Sequence, residues 1–252
     1  MIHSHHVFKK LKTIRIYQEG AYQAHDNIEL SPTASQHVGV VLRMRPNDKI
    51  ILFCGDNREF EATITAVNKK KVMVHIDSVT NVNRESPRKI HLAQAISKGE
   101  RMEIVVQKAV ELGVTSITPL LTTHCVVRLN AERLAKKEAQ WQAIAIAACE
   151  QSGRNTIPII HQTCSLEDYL TSCPPSIKLI LDPNSQSSWR NMQFGEEDIS
   201  LLIGPEGGLS DDEVATLAKQ GFQALSLGPR ILRTETAAIA AISVIQAICG
   251  DL

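Results

Sequence analysis

The sequence has few of the features that mark secreted, membrane-spanning or metal-binding proteins. Its six cysteines are scattered and form no Cys-x-x-Cys pair, so we expect reduced thiols in the cytoplasm, with neither a disulfide framework nor a zinc site. No apolar run approaches the roughly 18–20 residues that a membrane-spanning helix needs. The first twelve residues lack the apolar segment of a signal peptide. We therefore expect a cytoplasmic protein that uses no metal and no membrane.

Phosphate-binding motifs are absent as well. The chain has no Gly-x-Gly-x-x-Gly and no glycine-rich loop ending in Gly-Lys-Ser/Thr, which argues against dinucleotide and NTP binding. Its formal net charge is zero, but residues 1–89 hold 14 Lys/Arg against 9 Asp/Glu, and residues 90–252 hold 13 against 18. A polyanion is therefore expected to bind mainly through the N-terminal third.

The N-terminal part is predicted to be a small β-barrel. Short β-rich runs at 50–53, 61–67 and 71–76 are separated by turn residues, and one helix is expected near 35–42. The polar stretch 81–88, which contains a proline, is interpreted as a linker.

The rest of the chain alternates strands with helices, which predicts an α/β fold with a parallel sheet. Helices are expected at 100–112 and 131–152, and strands at 178–181, 199–203 and 223–227. Each of these three strands runs into a turn that contains proline. Because ligands of open α/β sheets bind at the carboxyl ends of the strands, we expect the functional site at these turns.

The first candidate motif is Gly-Pro-Glu-Gly-Gly at 204–208. Ser210 and Glu213 form a capping box after it, so a helix should begin there. Glycine adopts backbone angles closed to other residues and lets a ligand approach the main chain. Taken alone, these glycines favour a tight strand-to-helix turn without a ligand.

The second candidate motif is Leu-Gly-Pro-Arg-Ile-Leu-Arg-Thr-Glu-Thr-Ala at 227–237, followed by an Ala-rich helix at 237–249. Thr234 is a plausible N-cap, and Glu235 suits the positive end of a helix. Neither role explains Arg230 and Arg233, whose charge is unfavourable near a helix N-terminus. We interpret these arginines as functional.

These two motifs together resemble the signature of the SPOUT methyltransferases, and of the RsmE family in particular. Further segments are similar to that family: Lys-Ala-Val-Glu-Leu-Gly-Val at 108–114, Glu-Gln-Ser-Gly-Arg at 150–154, Arg-Ile-Tyr at 15–17 and His-Val-Gly-Val-Val-Leu-Arg at 37–43. The resemblance runs from about residue 13 to the C-terminus. Residues 1–12 depart from it and are expected to be a disordered extension.

The resemblance implies a PUA-like RNA-binding barrel at 13–83 and a SPOUT domain at 84–252 whose C-terminal segment forms a trefoil knot. It implies that S-adenosylmethionine (SAM) binds the main chain of three loops, that the protein is a homodimer, and that it methylates N3 of a uridine in small-subunit (16S) rRNA, within the assembled 30S subunit. The residues that match the cofactor loops are Leu181, Asp182, Gly204, Pro205, Glu206, Gly207, Leu227, Gly228, Ile231, Leu232 and Ala237.

Removal of the N3 proton requires a proton acceptor and stabilisation of the uracil anion. Arginine is not a base at ordinary pH. We expect Arg233, together with Arg230, to stabilise the negative charge or bind a phosphate, with Glu206 or Glu235 accepting the proton. The expected RNA contacts are Arg15, Arg43, Arg45 and Arg154.

Two alternatives stay open at this point. A related knotted enzyme methylates a ribose 2′-hydroxyl instead of a base, and the chain is then still a SAM-dependent RNA methyltransferase. The other alternative is a non-catalytic RNA-binding factor for ribosome assembly, which would not need a cofactor. The presence of both motifs favours catalysis, and cofactor binding distinguishes the two classes.

Overall fold

The chain forms two compact units. The computed structural model describes residues 13–68, 71–125 and 130–252, so the extension expected at residues 1–12 lies outside the described residues. Of the described residues, one unit contains those up to Arg84 together with Gly153–Thr156; the other contains those of Glu85–Ser152 and Ile157–Leu252. The sequence placed a boundary after residue 83 and did not anticipate that a later segment joins the N-terminal unit.

The N-terminal unit is built on a five-stranded sheet. Its elements are β1 (Ile14–Tyr17), β2 (Asn27–Glu29), α1 (Pro32–Gln36), a π-helical turn (His37–Val41), β3 (Lys49–Phe53), β4 (Arg58–Val67) and β5 (Val72–Asn81). The strand order is β1-β3-β4-β5-β2, with β1 and β3 parallel and the other neighbours antiparallel. The single helix expected near 35–42 is instead a short α-helix that continues into a π-helical turn.

Alternating side chains explain why these segments form strands around one core. In β4, Phe60, Ala62 and Ile64 are fully buried, while Glu61 and Thr65 between and after them are exposed. This period of two places every second side chain on the core side of the sheet. Buried residues from β1, β3, β5 and α1 complete the same core.

The C-terminal unit is an α/β fold. Its elements are β6 (Ile90–Ala95), α2 (Arg101–Glu111), β7 (Ser116–Leu121), α3 (Ala131–Ser152), β8 (Ile159–Ile160), β9 (Cys164–Ser165), α4 (Leu166–Ser172), β10 (Ile177–Leu181), a 3₁₀ turn (Trp189–Asn191), β11 (Ile199–Ile203), α5 (Asp211–Lys219), β12 (Gln223–Leu225) and α6 (Thr234–Cys249). The strand order is β12-β10-β11-β6-β7-β8, β9 also pairs with β7, and all of these pairings are parallel. The predicted parallel sheet is confirmed.

Helices cover both faces of this sheet. The helix α2 packs against α3 and α6, while α4 and α5 bury Leu166, Tyr169 and Leu217 against side chains of β6, β7, β10 and β11. All five residues of β11 are buried, as expected for a central strand of a sheet covered on both faces. The carboxyl ends of β10, β11 and β12 therefore meet at one edge, where their loops are free to form a site.

Candidate functional site

A cavity of about 870 Å³ lies at the carboxyl ends of β10, β11 and β12. Its wall is formed by three loops, which follow these strands, and by the first turn of α6. The lining residues include Leu181, Asp182, Gly204, Pro205, Glu206, Gly207, Leu227, Gly228, Arg230, Ile231, Leu232, Arg233 and Ala237. Two motifs that are separated by 18 residues in the sequence thus face the same space.

The structure brings the residues of the two motifs together. Every residue that we matched to a cofactor loop lines the cavity, and so do Arg230, Arg233 and Glu206. Glu235 is not among the lining residues. It lies on the first turn of α6, next to Arg233 and Thr234.

Local backbone geometry explains the glycines. Gly208 has φ of +72° and Gly228 has φ of +108°, a region that L-residues with a side chain rarely adopt. The N–H of Gly208 donates to the carbonyl of Pro205 at 2.9 Å, which closes a turn after β11. The expected capping box follows, with the Ser210 hydroxyl and the Glu213 carboxylate each accepting a backbone N–H. The chain thereby changes from strand to helix within seven residues.

Glu206 is held as a carboxylate. Its Oε1 accepts hydrogen bonds from Arg101 Nη1 at 2.6 Å and from the N–H of Lys98 at 3.1 Å. Burial raises the pKa of Glu206, but hydrogen bonds from backbone N–H groups and from Arg101 outweigh it and leave the pKa below its ordinary value. A carboxylate stabilised in this way is a weak proton acceptor.

Thr234 does not cap α6 as the sequence suggested. The N-cap residue is Arg233, which makes no side-chain capping bond, and the helix begins at Thr234, three residues before the predicted start. The Thr234 hydroxyl instead donates to the carbonyl of Gly204 at 2.8 Å and accepts from Gln94 Nε2 at 2.9 Å. Thr234 is the first residue of α6 and is only 5% exposed, so its hydroxyl faces these protein groups and not solvent.

The two arginines of the second motif are exposed at the cavity, whereas the neighbouring glutamate is partly buried. Oε2 of Glu235 is shielded from solvent and has no hydrogen-bond partner among the described residues. A buried carboxylate oxygen without a partner is unusual, because it loses its hydration without compensation. Glu235 therefore has a free acceptor site, in contrast to the occupied carboxylate of Glu206.

The four arginines expected to contact RNA separate into two pairs. Arg43 and Arg45 are exposed on the loop between the π-helical turn and β3. Arg15 and Arg154 are only 5% and 4% exposed, so the expectation that they contact RNA is not supported. Their charges are enclosed by protein and are not displayed on a surface.

Arg15 belongs to a buried ionic cluster of the N-terminal unit. Its Nη1 donates to Glu59 Oε1 at 2.6 Å, and Arg84 Nη1 donates to the same oxygen at 2.6 Å. Asn155, fully buried, donates to that oxygen at 3.1 Å and accepts from Arg15. Burial raises the pKa of Glu59, but the hydrogen bonds from Arg84, Asn155 and Arg15 outweigh it and lower the pKa overall. Arg15 of the Arg-Ile-Tyr segment at 15–17 therefore pairs with Glu59 inside the N-terminal unit.

Sequence reasoning missed several residues of the site. Arg101, Asn184 and Ser226 line the cavity, and Gln94 supports it through Thr234. Arg101 carries the same signal as Arg230 and Arg233, a positive charge at or just before the N-terminus of a helix. Gln94 had no such signal, because a glutamine within a buried strand shows its partner only in three dimensions.

The described part of the chain contains no group of three or more His, Cys, Asp or Glu side chains arranged to hold a metal ion. Among residues 13–68, 71–125 and 130–252, no helix has the length and apolar character needed to cross a membrane.

Comparisons with known proteins agree with this architecture. A family model described as an RNA methyltransferase domain matches residues 84–246, and one described as an RNA methyltransferase PUA domain matches residues 30–77. The N-terminal unit is thus PUA-like. Ribosomal RNA small subunit methyltransferase E of Buchnera aphidicola (subsp. Schizaphis graminum) is 38% identical over 247 residues, which cover 96% of this chain and 99% of that protein. The protein of the same name from Bacillus subtilis is 34% identical and covers 87% and 91% of the two chains.

Solved structures give the same result. A protein of Legionella pneumophila, solved in complex with the bound cofactor SAM, has a TM-score of 0.94 and 56% identity, covering 96% of this chain and 100% of that one. Ribosomal RNA small subunit methyltransferase E from Neisseria gonorrhoeae, bound to S-adenosyl methionine, has a TM-score of 0.90 and 38% identity, with 95% and 99% coverage. On this similarity in sequence and structure, the chain belongs to the ribosomal RNA small subunit methyltransferase E (RsmE) family.

Proposed function

We propose that this protein is a SAM-dependent methyltransferase that modifies N3 of a uridine in small-subunit (16S) rRNA. The observation that carries the proposal is the single cavity wall formed by the 204–208 and 227–237 motifs in a chain of the RsmE family. The N3 position comes from the family resemblance. The trefoil knot, the homodimer, the assembled 30S subunit as substrate and the cytoplasmic location belong to the same proposal and stay predictions.

The cavity fits the cofactor in size and chemistry. Its volume of about 870 Å³ lies within the range of small-molecule sites, roughly 300–1,000 Å³. Leu181, Leu227 and Leu232 supply apolar surface suited to a purine ring. A Cβ at Gly208 or Gly228 would meet no atom within 4 Å, so the main chain there borders open space that a ligand can approach. Asp182 and Arg101 supply polar contacts at the wall.

The bound cofactor supplies an electrophilic methyl group, and the protein has to orient the uracil and manage its N3 proton. Arg230 and Arg233 are exposed at the cavity. Their guanidinium groups stabilise the negative charge that develops on the uracil as the proton leaves, or hold a phosphate of the same nucleotide. Substitution of Arg233 by alanine is therefore expected to lower kcat by about 10²–10³-fold, the range for loss of one charge-stabilising donor.

Glu235 is the better candidate for the proton acceptor. Glu206 is occupied by Arg101 and the N–H of Lys98, and its pKa is lowered. Glu235 has a carboxylate oxygen with no hydrogen-bond partner among the described residues, and it lies on the first turn of α6 beside the lining residue Thr234. Glu235→Gln should lower kcat at least about 10²-fold, as expected for loss of a general base. Glu206→Gln should mainly weaken cofactor binding. If Glu206→Gln lowers kcat and Glu235→Gln does not, Glu206 is the proton acceptor instead.

The PUA-like unit is proposed to hold the RNA. Arg43 and Arg45 are exposed on one loop of this unit, and the N-terminal third of the sequence is basic. Each phosphate contact contributes about 0.9 to the slope of log K against log salt for duplexes and about 0.7 for single strands. Alanine at both positions should weaken RNA binding and reduce this slope. An unchanged slope would show that neither residue contacts a phosphate of the RNA.

The decisive experiment uses small ribosomal subunits from cells that lack this gene. The subunits are incubated with the protein and isotopically labelled SAM, and the nucleosides are identified by mass spectrometry after digestion. Labelled 3-methyluridine is the expected product. A labelled 2′-O-methyl nucleoside would retain the cofactor but overturn the methylated atom. Absence of label together with absence of cofactor binding would overturn catalysis and favour a non-catalytic assembly factor.

A further inference from the structure

A buried chain of hydrogen bonds connects three elements behind the cofactor cavity. Gln94 on β6 donates from Nε2 to Oγ1 of Thr234 at 2.9 Å, and Thr234 donates to the carbonyl oxygen of Gly204 at 2.8 Å. Gln94 lies beside Ile203 in the register of β6 and β11, so it stands next to the residue where β11 ends. Gly204 and Thr234 both line the cavity. The chain therefore joins two walls of the site from behind.

The direction of this chain is fixed by its members. A carbonyl oxygen only accepts, so the single hydroxyl proton of Thr234 is committed to Gly204 and its oxygen has to accept from Gln94. Gln94 Nε2 also donates to the carbonyl of Ala95 at 3.1 Å, so both contacts of this nitrogen are to acceptors. The amide orientation of Gln94 is thus set by its surroundings. Gln94 is 0% exposed and Thr234 is 5% exposed.

We propose that Gln94 and Thr234 are positioning residues that hold the 204–208 loop in register with the start of α6, so that the cofactor cavity is preformed. The inference deepens the proposed function and rests on it. Thr234 follows Arg233 directly, so the same hydroxyl fixes the helix start that carries the arginine and the loop that carries Glu206. Without the hydroxyl, the loop and the helix start are free to adopt other relative positions. Only a fraction of molecules is then competent to bind, and the apparent Kd rises by the inverse of that fraction.

The test replaces Thr234 by valine, which keeps the volume and removes both hydrogen bonds. SAM binding, measured by titration calorimetry without RNA, should weaken about tenfold, as for an equilibrium shift of 1.4 kcal/mol. In turnover assays the KM for SAM should rise by a larger factor than kcat falls, because saturating cofactor selects the competent arrangement of the loop and the helix start. Thr234→Ser, which retains the hydroxyl, should restore the affinity. Wild-type affinity of T234V, or failure of T234S to restore it, overturns the inference.

A second variant tests the other end of the chain. Gln94→Leu removes the amide that donates to Thr234 and buries no charge. Q94L should weaken SAM binding, and the effects of T234V and Q94L should be non-additive, since the residues act as one unit. Additive effects would contradict the coupling of Gln94 to Thr234. Q94L also serves if T234V does not fold.

A matched control separates positioning from loss of stability. Ser200 is 0% exposed and accepts from the Ser176 hydroxyl at 2.8 Å, near the start of β11 and away from its cavity end. Ser200→Ala should lower the thermal midpoint yet leave the affinity for SAM unchanged. If S200A weakens SAM binding as T234V does, the effect is general destabilisation and the inference fails. Failure of the wild-type protein to bind SAM would instead overturn the proposed function.

Discussion

The buried ionic cluster of the N-terminal unit predicts an unusually destabilising single substitution. The side chains of Arg15 and Glu59 are only 1% and 10% exposed, and their charged atoms lie 2.6 Å apart. Glu59→Gln preserves shape and most hydrogen-bonding capacity but removes the negative charge that lies 2.6 Å from the buried guanidinium of Arg15. Removal of one partner of a buried ion pair costs about 3–5 kcal/mol. We expect about 3 kcal/mol, since the glutamine oxygen and Asn155 still accept from Arg15.

The assay has to report on the N-terminal unit alone. Both tryptophans, Trp141 and Trp189, lie in the C-terminal unit, so their fluorescence does not follow this transition. Hydrogen exchange of peptides from β4 and β5, read by mass spectrometry, measures the local opening free energy of the correct unit. Peptides from β10 and β11 provide an internal reference.

An exposed pair in the same unit gives the matched control. Lys71 and Glu29 lie 3.2 Å apart with side chains 63% and 47% exposed, and a pair of this kind contributes about 0–1 kcal/mol. Glu29→Gln should therefore leave exchange in β4 almost unchanged. If Glu59→Gln and Glu29→Gln have equal effects, the cluster does not stabilise the unit in the way that its burial implies.

Three further predictions concern the pH dependence of Glu59, the backbone of Gly208 and the thiol of Cys54. Because the pKa of Glu59 is lowered in the folded protein, its contribution to stability is fully present above the unfolded pKa of about 4.5 and is lost as pH falls through the lower folded pKa. Acid unfolding of the wild-type protein, followed by circular dichroism, should therefore show stability falling steeply below about pH 4.5, and Glu59→Gln should flatten this dependence. Gly208→Ala adds a Cβ that meets no atom within 4 Å, so only the positive φ is strained, and the free energy of unfolding should fall by about 1–2 kcal/mol in chemical denaturation. Burial and the hydrogen bond with Asp56 raise the pKa of Cys54 to about 11. Since the thiolate is the reactive form, the alkylation rate of Cys54 should rise about tenfold between pH 9 and pH 10. A rate that is constant above pH 9 would contradict this environment of the thiol.

Features encoded by local pattern were predicted from the sequence. The helix expected at 131–152 is α3 with the same bounds, and the strand expected at 199–203 is β11. Both segments have strong periodicity or an uninterrupted apolar run, ended by turn residues. The capping box of Ser210 and Glu213 was likewise found, because its two members are three residues apart.

Features that depend on distant partners were not predicted. Arg15 looked like an RNA contact because its charge is visible in the sequence, whereas its pairing with Glu59 across 44 residues is not. Thr234 looked like an N-cap because Thr is favoured there, but a carbonyl 30 residues earlier takes its hydroxyl proton. In both cases a tertiary hydrogen bond replaced the local role that residue type suggested.

The placement of Gly153–Thr156 in the N-terminal unit has a consequence for synthesis. The N-terminal unit needs Asn155, whose side chain bonds Glu59 and the carbonyl of Val82. During translation this unit cannot complete its buried cluster when residue 84 leaves the ribosome; it has to wait until about seventy more residues, including β6, β7 and α3, have been made. The N-terminal unit is consequently not encoded by one continuous segment of the sequence. A fragment that ends at residue 84 would contain Arg15 and Glu59 without Asn155, the amide that bonds both.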